Sequence, residues 1–115
     1  MHNATATGIA ALCTLSLLTL AGCVSNEIIA PPIDSISFGA LDNLNAETLD
    51  TGRTLYLQRC SRCHAPPVIL KHTATEWGTL LPDMLDESAL HGSKAQAVVE
   101  YVEAVLRAQT LAKAS

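Results

Sequence analysis

The apolar positions of this chain fall into three stretches with different periods. Residues 9–20 form an almost continuous apolar run with small polar breaks. Residues 24–44 show no sustained period; Pro31-Pro32 and scattered Ser and Asn give them the character of an extended linker. From Asn45 onward the spacing is helical. Asn45 or Thr48 can cap a helix with Leu49, Leu55 and Tyr56 as its apolar positions, interrupted by Gly52. A glycine inside a helix costs roughly 0.5–1 kcal/mol relative to alanine and often marks a close backbone approach. Thr73-Ala74-Thr75-Glu76 has the spacing of a capping box and opens a second helix carrying Trp77, Leu80 and Leu81, which Pro82 should kink or end. Ser93-Lys94-Ala95-Gln96 has the same spacing. Behind it Val98, Tyr101, Val102, Val105 and Leu106 recur at i, i+3, i+4, i+7 and i+8, with Glu100, Glu103 and Arg107 on the opposite face. No strand-like alternation of useful length occurs, so the expected fold class is all-α.

The first stretch is expected to leave the fold. The run at 9–20 is too short to span a bilayer and has the length of a signal-peptide core. It ends in Leu20-Ala21-Gly22-Cys23, which resembles the lipobox of bacterial lipoproteins. The resemblance implies that residues 1–22 are a signal peptide and that Cys23 is lipidated as the first mature residue. The segment before the run departs from the usual pattern, since it holds His2 but no Lys or Arg. Residues 23–44 then read as a lipid-anchored flexible linker and 45–115 as one small domain. A packed arm carrying Ile36 and Phe38 is the alternative reading of the linker. In Gram-negative lipoproteins, Val24 after the cysteine resembles the default route to the outer membrane.

Cys60-Ser61-Arg62-Cys63-His64 is the strongest chemical signal. The order C-x-x-C-H reads as a covalent attachment site for c-type haem, with each cysteine sulfur adding to one vinyl group. The adjacent histidine then faces the iron and supplies a nitrogen ligand. Two other readings start from the same cysteines. A thioredoxin-like dithiol belongs at a strand-to-helix turn of a βαβ unit, and no such alternation is present. A zinc site needs four ligands, and outside the motif only His72 and His91 follow Cys23. Haem also accounts for the remaining cysteines: Cys13 leaves with the signal, Cys23 takes lipid, and none is left for a disulfide. Attachment of this kind follows export, so the two signals support each other. A domain of about 70 residues has a small core and gains from a covalent staple. The low aromatic count, one Trp, two Tyr and one Phe, suits a core centred on a cofactor.

Gly52, an aromatic at Tyr56, and then Cys60, Cys63 and His64 resemble the start of a bacterial class I cytochrome c domain. Trp77, Met84, Leu90 and the Tyr101 helix resemble the remainder of a short monohaem version, so the resemblance covers residues 49–108. It implies a small cytochrome c-like helical domain packed around one covalently bound haem. It also implies that Gly52 and Tyr56 pack across Tyr101. The family's second axial ligand is usually a methionine sulfur, which makes Met84 the partner of His64 on the iron, with His72, His91 or an open position as alternatives. A carbonyl of the Pro66-Pro67 loop is implied as acceptor for the Nδ1 proton of His64. Arg53, Arg59, Arg62 and Lys71 are the nearby cations that could meet haem propionates. The interval from His64 to Met84 is short for the family at large.

No nucleophile–base pair and no phosphate loop stand out, and a net charge of −4 argues against nucleic acid as a partner. The expected function is non-enzymatic: a lipid-anchored one-electron carrier in the bacterial cell envelope, working between redox protein partners and bound to the membrane through its anchor. The competing expectations are a haem enzyme subunit or gas sensor with an open sixth position, and a non-haem lipoprotein with Cys60 and Cys63 as a dithiol.

Overall fold

Four helices carry the fold in a computed structural model that describes residues 25–35 and 44–115. They are α1 (Asn26–Ile29), α2 (Ala46–Arg59), α3 (Ala74–Glu87) and α4 (Gly92–Ala114), joined by single 3-10 turns at Ile33–Ser35, Cys60–Arg62 and Ile69–Lys71. Among the described residues there is no strand, so the fold is all-α. None of these helices is long and apolar enough to cross a membrane. The signal peptide at 1–22, Cys13, Cys23, Ile36 and Phe38 lie outside the described residues.

Local chemistry sets two of the helix starts as the sequence suggests. The Asn45 side-chain oxygen accepts from the backbone N–H of Glu47 at 2.9 Å and of Thr48 at 3.4 Å, satisfying donors the first turn of α2 leaves free. At α3 the capping box closes in both directions. Thr73 Oγ1 accepts from the Glu76 N–H at 3.3 Å, and Glu76 Oε2 accepts from the Thr73 N–H at 2.7 Å. Donation from the Thr73 backbone, then from its hydroxyl, holds the Glu76 carboxyl below its ordinary range.

Two local features differ from the simplest expectation. Of the two effects expected of Pro82, a kink or an end, the end does not occur, for α3 continues to Glu87. An interior proline removes one helical hydrogen bond and crowds the carbonyl four residues back, at a cost of about 3 kcal/mol. That carbonyl belongs to Gly78, an exposed residue whose freed oxygen water can serve. The buried stripe Trp77, Leu81, Met84 and Leu85 runs on both sides of the proline and packs as one face, and this burial outweighs the local cost. The box at Ser93 does not form either. Helix α4 begins at Gly92, whose φ of +56° turns the chain into the helix, and its cap His91 makes no side-chain bond. Gln96 instead donates to Glu100 at 3.1 Å, one turn along the same face.

The core sits where α2 crosses α4. A Cβ at Gly52 would lie 2.8 Å from the Tyr101 Cβ and in collision with the Ala97 carbonyl. The two backbones therefore meet where only a hydrogen fits. Tyr56, Tyr101, Leu49, Val98 and Val102 close around this point, and Leu90 and Val105 extend the buried set. Each such side chain taken fully out of water contributes roughly 1.5–3 kcal/mol. The predicted stripe on α4 is thus the buried one, with Leu106 at its margin. Both tyrosines are also anchored at their polar tips. Tyr56 donates to the Pro67 carbonyl and Tyr101 to the Pro31 carbonyl, each at 2.6 Å. Burial, foremost, pushes both phenols above their ordinary range.

Part of the stretch expected to be a linker is packed. Ala30 is fully buried, and Ile29 and Ile33 lie against the core. The Ala30 carbonyl accepts from Arg53 Nε at 3.0 Å, next to the bond from Tyr101 to Pro31.

Candidate functional site

Helix α2 passes directly into the C-x-x-C-H motif. Cys60 caps its C-terminal end and opens the 3-10 turn Cys60–Arg62, so the two-residue gap is one tight turn of chain. Helix α3 approaches from the other side and ends in a tight closure. The Ala89 N–H bonds the Asp86 carbonyl and the Leu90 N–H bonds the Leu85 carbonyl, each at 2.9 Å, while Leu90 is buried. This is the Schellman pattern, with Ala89 at φ +52° where glycine is usual. Arg59 then ties the two segments together: its Nη2 donates to the Ser88 carbonyl at 3.3 Å.

This arrangement brings Cys60, Cys63, His64 and Met84 onto one small cavity, together with Glu87 and Ser88. Three of these residues come from the motif turn and Met84 from α3, two residues beyond Pro82, and folding alone joins them. Cys60 and Met84 are buried, whereas Cys63 and His64 are exposed. Burial pushes the Cys60 thiol up, with a hydrogen bond from Ser88 opposing it. His64 Nδ1 lies 2.9 Å from the Ala65 carbonyl. A carbonyl can only accept, so this contact selects the Nδ1–H tautomer and leaves the Nε2 lone pair available as a ligand.

The acceptor for His64 therefore differs from the expected proline carbonyl. The Pro67 oxygen is taken by Tyr56, and the carbonyl of Ala65, just ahead of the proline pair, serves the imidazole. His72 and His91 do not line the cavity. The His72 ring stands edge-on to Trp77 with centroids 5.6 Å apart, and exposed His91 caps α4. Arg53 is engaged with Ala30, while Arg62 and Lys71 are exposed. Arg59 is distinct, for its Nε is buried and without a partner.

A dithiol, a zinc ion and a haem each ask something different of these cysteines. A reactive dithiol usually sits at a helix N-terminus, where the dipole lowers a thiol pKa. Here the pair follows a helix C-terminus and the Cys60 thiol is raised. Among the described residues no three His, Cys, Asp or Glu side chains gather as a metal-binding group, whereas structural zinc needs four ligands. Two sulfurs one turn apart, a histidine with Nε2 free and a buried thioether on the facing helix match the donor set of a covalently held haem.

Ser88, Glu87 and the Arg59 tie were not foreseen from the sequence. Their signal is the α3 ending, which lacks the glycine that ordinarily marks it. No protein-family model, curated protein or solved structure matches this chain.

Proposed function

We propose that this chain is a lipid-anchored monohaem c-type cytochrome, of the class I type, that carries single electrons between redox partners of the bacterial cell envelope. The observation that supports the reading best is the convergence of Cys60, Cys63, His64 and Met84 on one cavity, with the imidazole already oriented by Ala65. A haem held there would supply a one-electron iron couple. Cys60 and Cys63 supply the two thioether sulfurs. His64 would offer Nε2 to the iron, and the Nδ1–H bond to Ala65 fixes its ring. Met84 offers a soft neutral sulfur that favours reduced iron and raises the potential. The buried, unpartnered Nε of Arg59 is a donor available to a propionate. Cys23 carries the lipid.

Intact mass of the chain made with a cytochrome c maturation system tests the attachment. The processed polypeptide should gain one haem that survives a denaturing gel, and two titratable thiols on an unmodified mass would refute it. Met84→Ala should keep the covalent haem, abolish the methionine-to-ferric-iron band at the red end of the spectrum, and admit cyanide rapidly. Rapid cyanide binding by the wild type, unchanged in Met84→Ala, would point to an open-site enzyme or sensor instead. Cys23→Ser should release the protein from membranes with its haem spectrum intact.

A further inference from the structure

We infer that the segment following Cys23 is a short strap, not a long leash, and that it holds the helical domain flush against the bilayer carrying the anchor. The inference rests on the reading of Cys23 as the lipidated residue. Its independent support is the packing of residues 25–35. Ala30 is fully buried, and its carbonyl accepts from Arg53 on α2 at 3.0 Å. The next carbonyl, of Pro31, accepts from Tyr101 on α4 at 2.6 Å. Ile29 and Ile33 pack against the core on either side of these bonds. The strap is thereby fixed to both helices of the central crossing. Within α1 the Ala30 N–H closes back on the Asn26 carbonyl at 2.9 Å, so the described chain is ordered almost to its first residue.

Covalent geometry sets the remaining slack. Cys23 precedes Ser25 by two residues, a reach of at most about 7 Å between their Cα atoms. A free 22-residue tether would reach about 25 Å on average, so the strap removes most of the expected stand-off. Ile28 on α1 is 57% exposed and lies five residues from the acylated position, with exposed Ser25, Asn26 and Glu27 between them. The occupant of this face is the leaflet that holds the acyl chains. A redox partner must then reach the domain at the membrane surface.

Neutron reflectometry on a supported phosphatidylethanolamine–phosphatidylglycerol bilayer, bearing the full lipidated chain, tests the strap without relying on the haem. The wild-type protein layer should contact the headgroups with no intervening water layer. Ten Gly/Ser residues inserted between Val24 and Ser25 alter no packed residue and should move the layer outward by up to about 20 Å. Ala30→Asp places a charge in the core, should undock the strap, and should produce a similar outward shift; if it fails to fold, the insertion decides. A hydrated gap beneath the wild type, or no shift on insertion, overturns the strap and leaves the anchor standing. A chain that washes off the bilayer overturns the anchor and the strap with it.

Discussion

Helix α2 carries two junctions about two helical turns apart, and they are built on opposite terms. At Gly52 it meets α4 so closely that no side chain fits, and the tyrosines that flank the contact are buried with their hydroxyls bonded. At Cys60 it meets the end of α3 loosely. Cys63 and His64 face solvent, and Arg59 and Cys60 both meet Ser88 at the end of α3. The first junction is completed by the chain's own atoms. The second presents sulfur and nitrogen donors that the polypeptide leaves free. Stability and ligand chemistry are thus separated along one helix, and substitutions at the two junctions should have separable effects.

The crossing should be the harder to disturb. Gly52→Ala gains helix propensity but drives a methyl into the Ala97 carbonyl and toward Tyr101. Overpacking against backbone should win, with a net loss of about 2–3 kcal/mol read from denaturant unfolding. An unchanged midpoint would mean that the helices do not cross at this point.

Tyr101→Phe comes next. It leaves the Pro31 carbonyl without its donor and should cost about 1–2 kcal/mol. The same residue sets a pH dependence. The folded phenol has a raised pKa, caused first by burial, so the folded state keeps a proton that the unfolded state loses above pH 10. Its contribution is fully present below pH 10 and is lost progressively as pH rises from there. Tyr56 acts with the same sign. Alkaline unfolding curves should be less steep in pH for Tyr56→Phe and Tyr101→Phe than for wild type, and parallel curves would refute the burial of the phenols.

The smallest effect belongs to the looser junction and has the opposite sign. Ala89 occupies the left-handed region at φ +52° in the turn that closes α3. Ala89→Gly removes that strain and should stabilise the fold by about 0.5–1 kcal/mol, measured by the same unfolding curves. If haem is bound as proposed, the spectrum of this variant should match wild type, since Ala89 does not line the cavity. A loss of stability would show that α3 ends in some other way.

The parts of this structure legible in the sequence are those decided by neighbours within a turn or by a repeated spacing. The Asn45 cap, the Thr73–Glu76 box and the α4 stripe need only local rules, and the glycine inside α2 marks its close approach to Ala97 and Tyr101. Pro82 did not end its helix and Ser93 did not cap one. At Pro82 a continuous buried stripe outweighed one missing hydrogen bond. At Ser93 the chain had already turned at Gly92. The packed strap was hidden for a different reason. Its anchoring groups are backbone carbonyls, which every residue has, and their donors lie far along the chain at Arg53 and Tyr101. The C-x-x-C-H motif named three members of the candidate site. That Met84 shares their cavity depends on how α3 lies beyond Pro82, which no local pattern encodes.

The crossing at Gly52 also bears on the order of assembly. Its two halves are separated by a loop of about 45 residues, whose closure costs roughly 3 kcal/mol plus a constant. Cys60, Cys63, His64 and Met84 all lie inside that loop. The step that joins α2 to α4 is therefore non-local, and a cross-link formed within the loop beforehand would shorten the path to be closed. A bridge between Cys60 and Cys63 alone removes only three residues from that path, so refolding would quicken through chain entropy, by about two-fold, only if a group at the motif also held Met84.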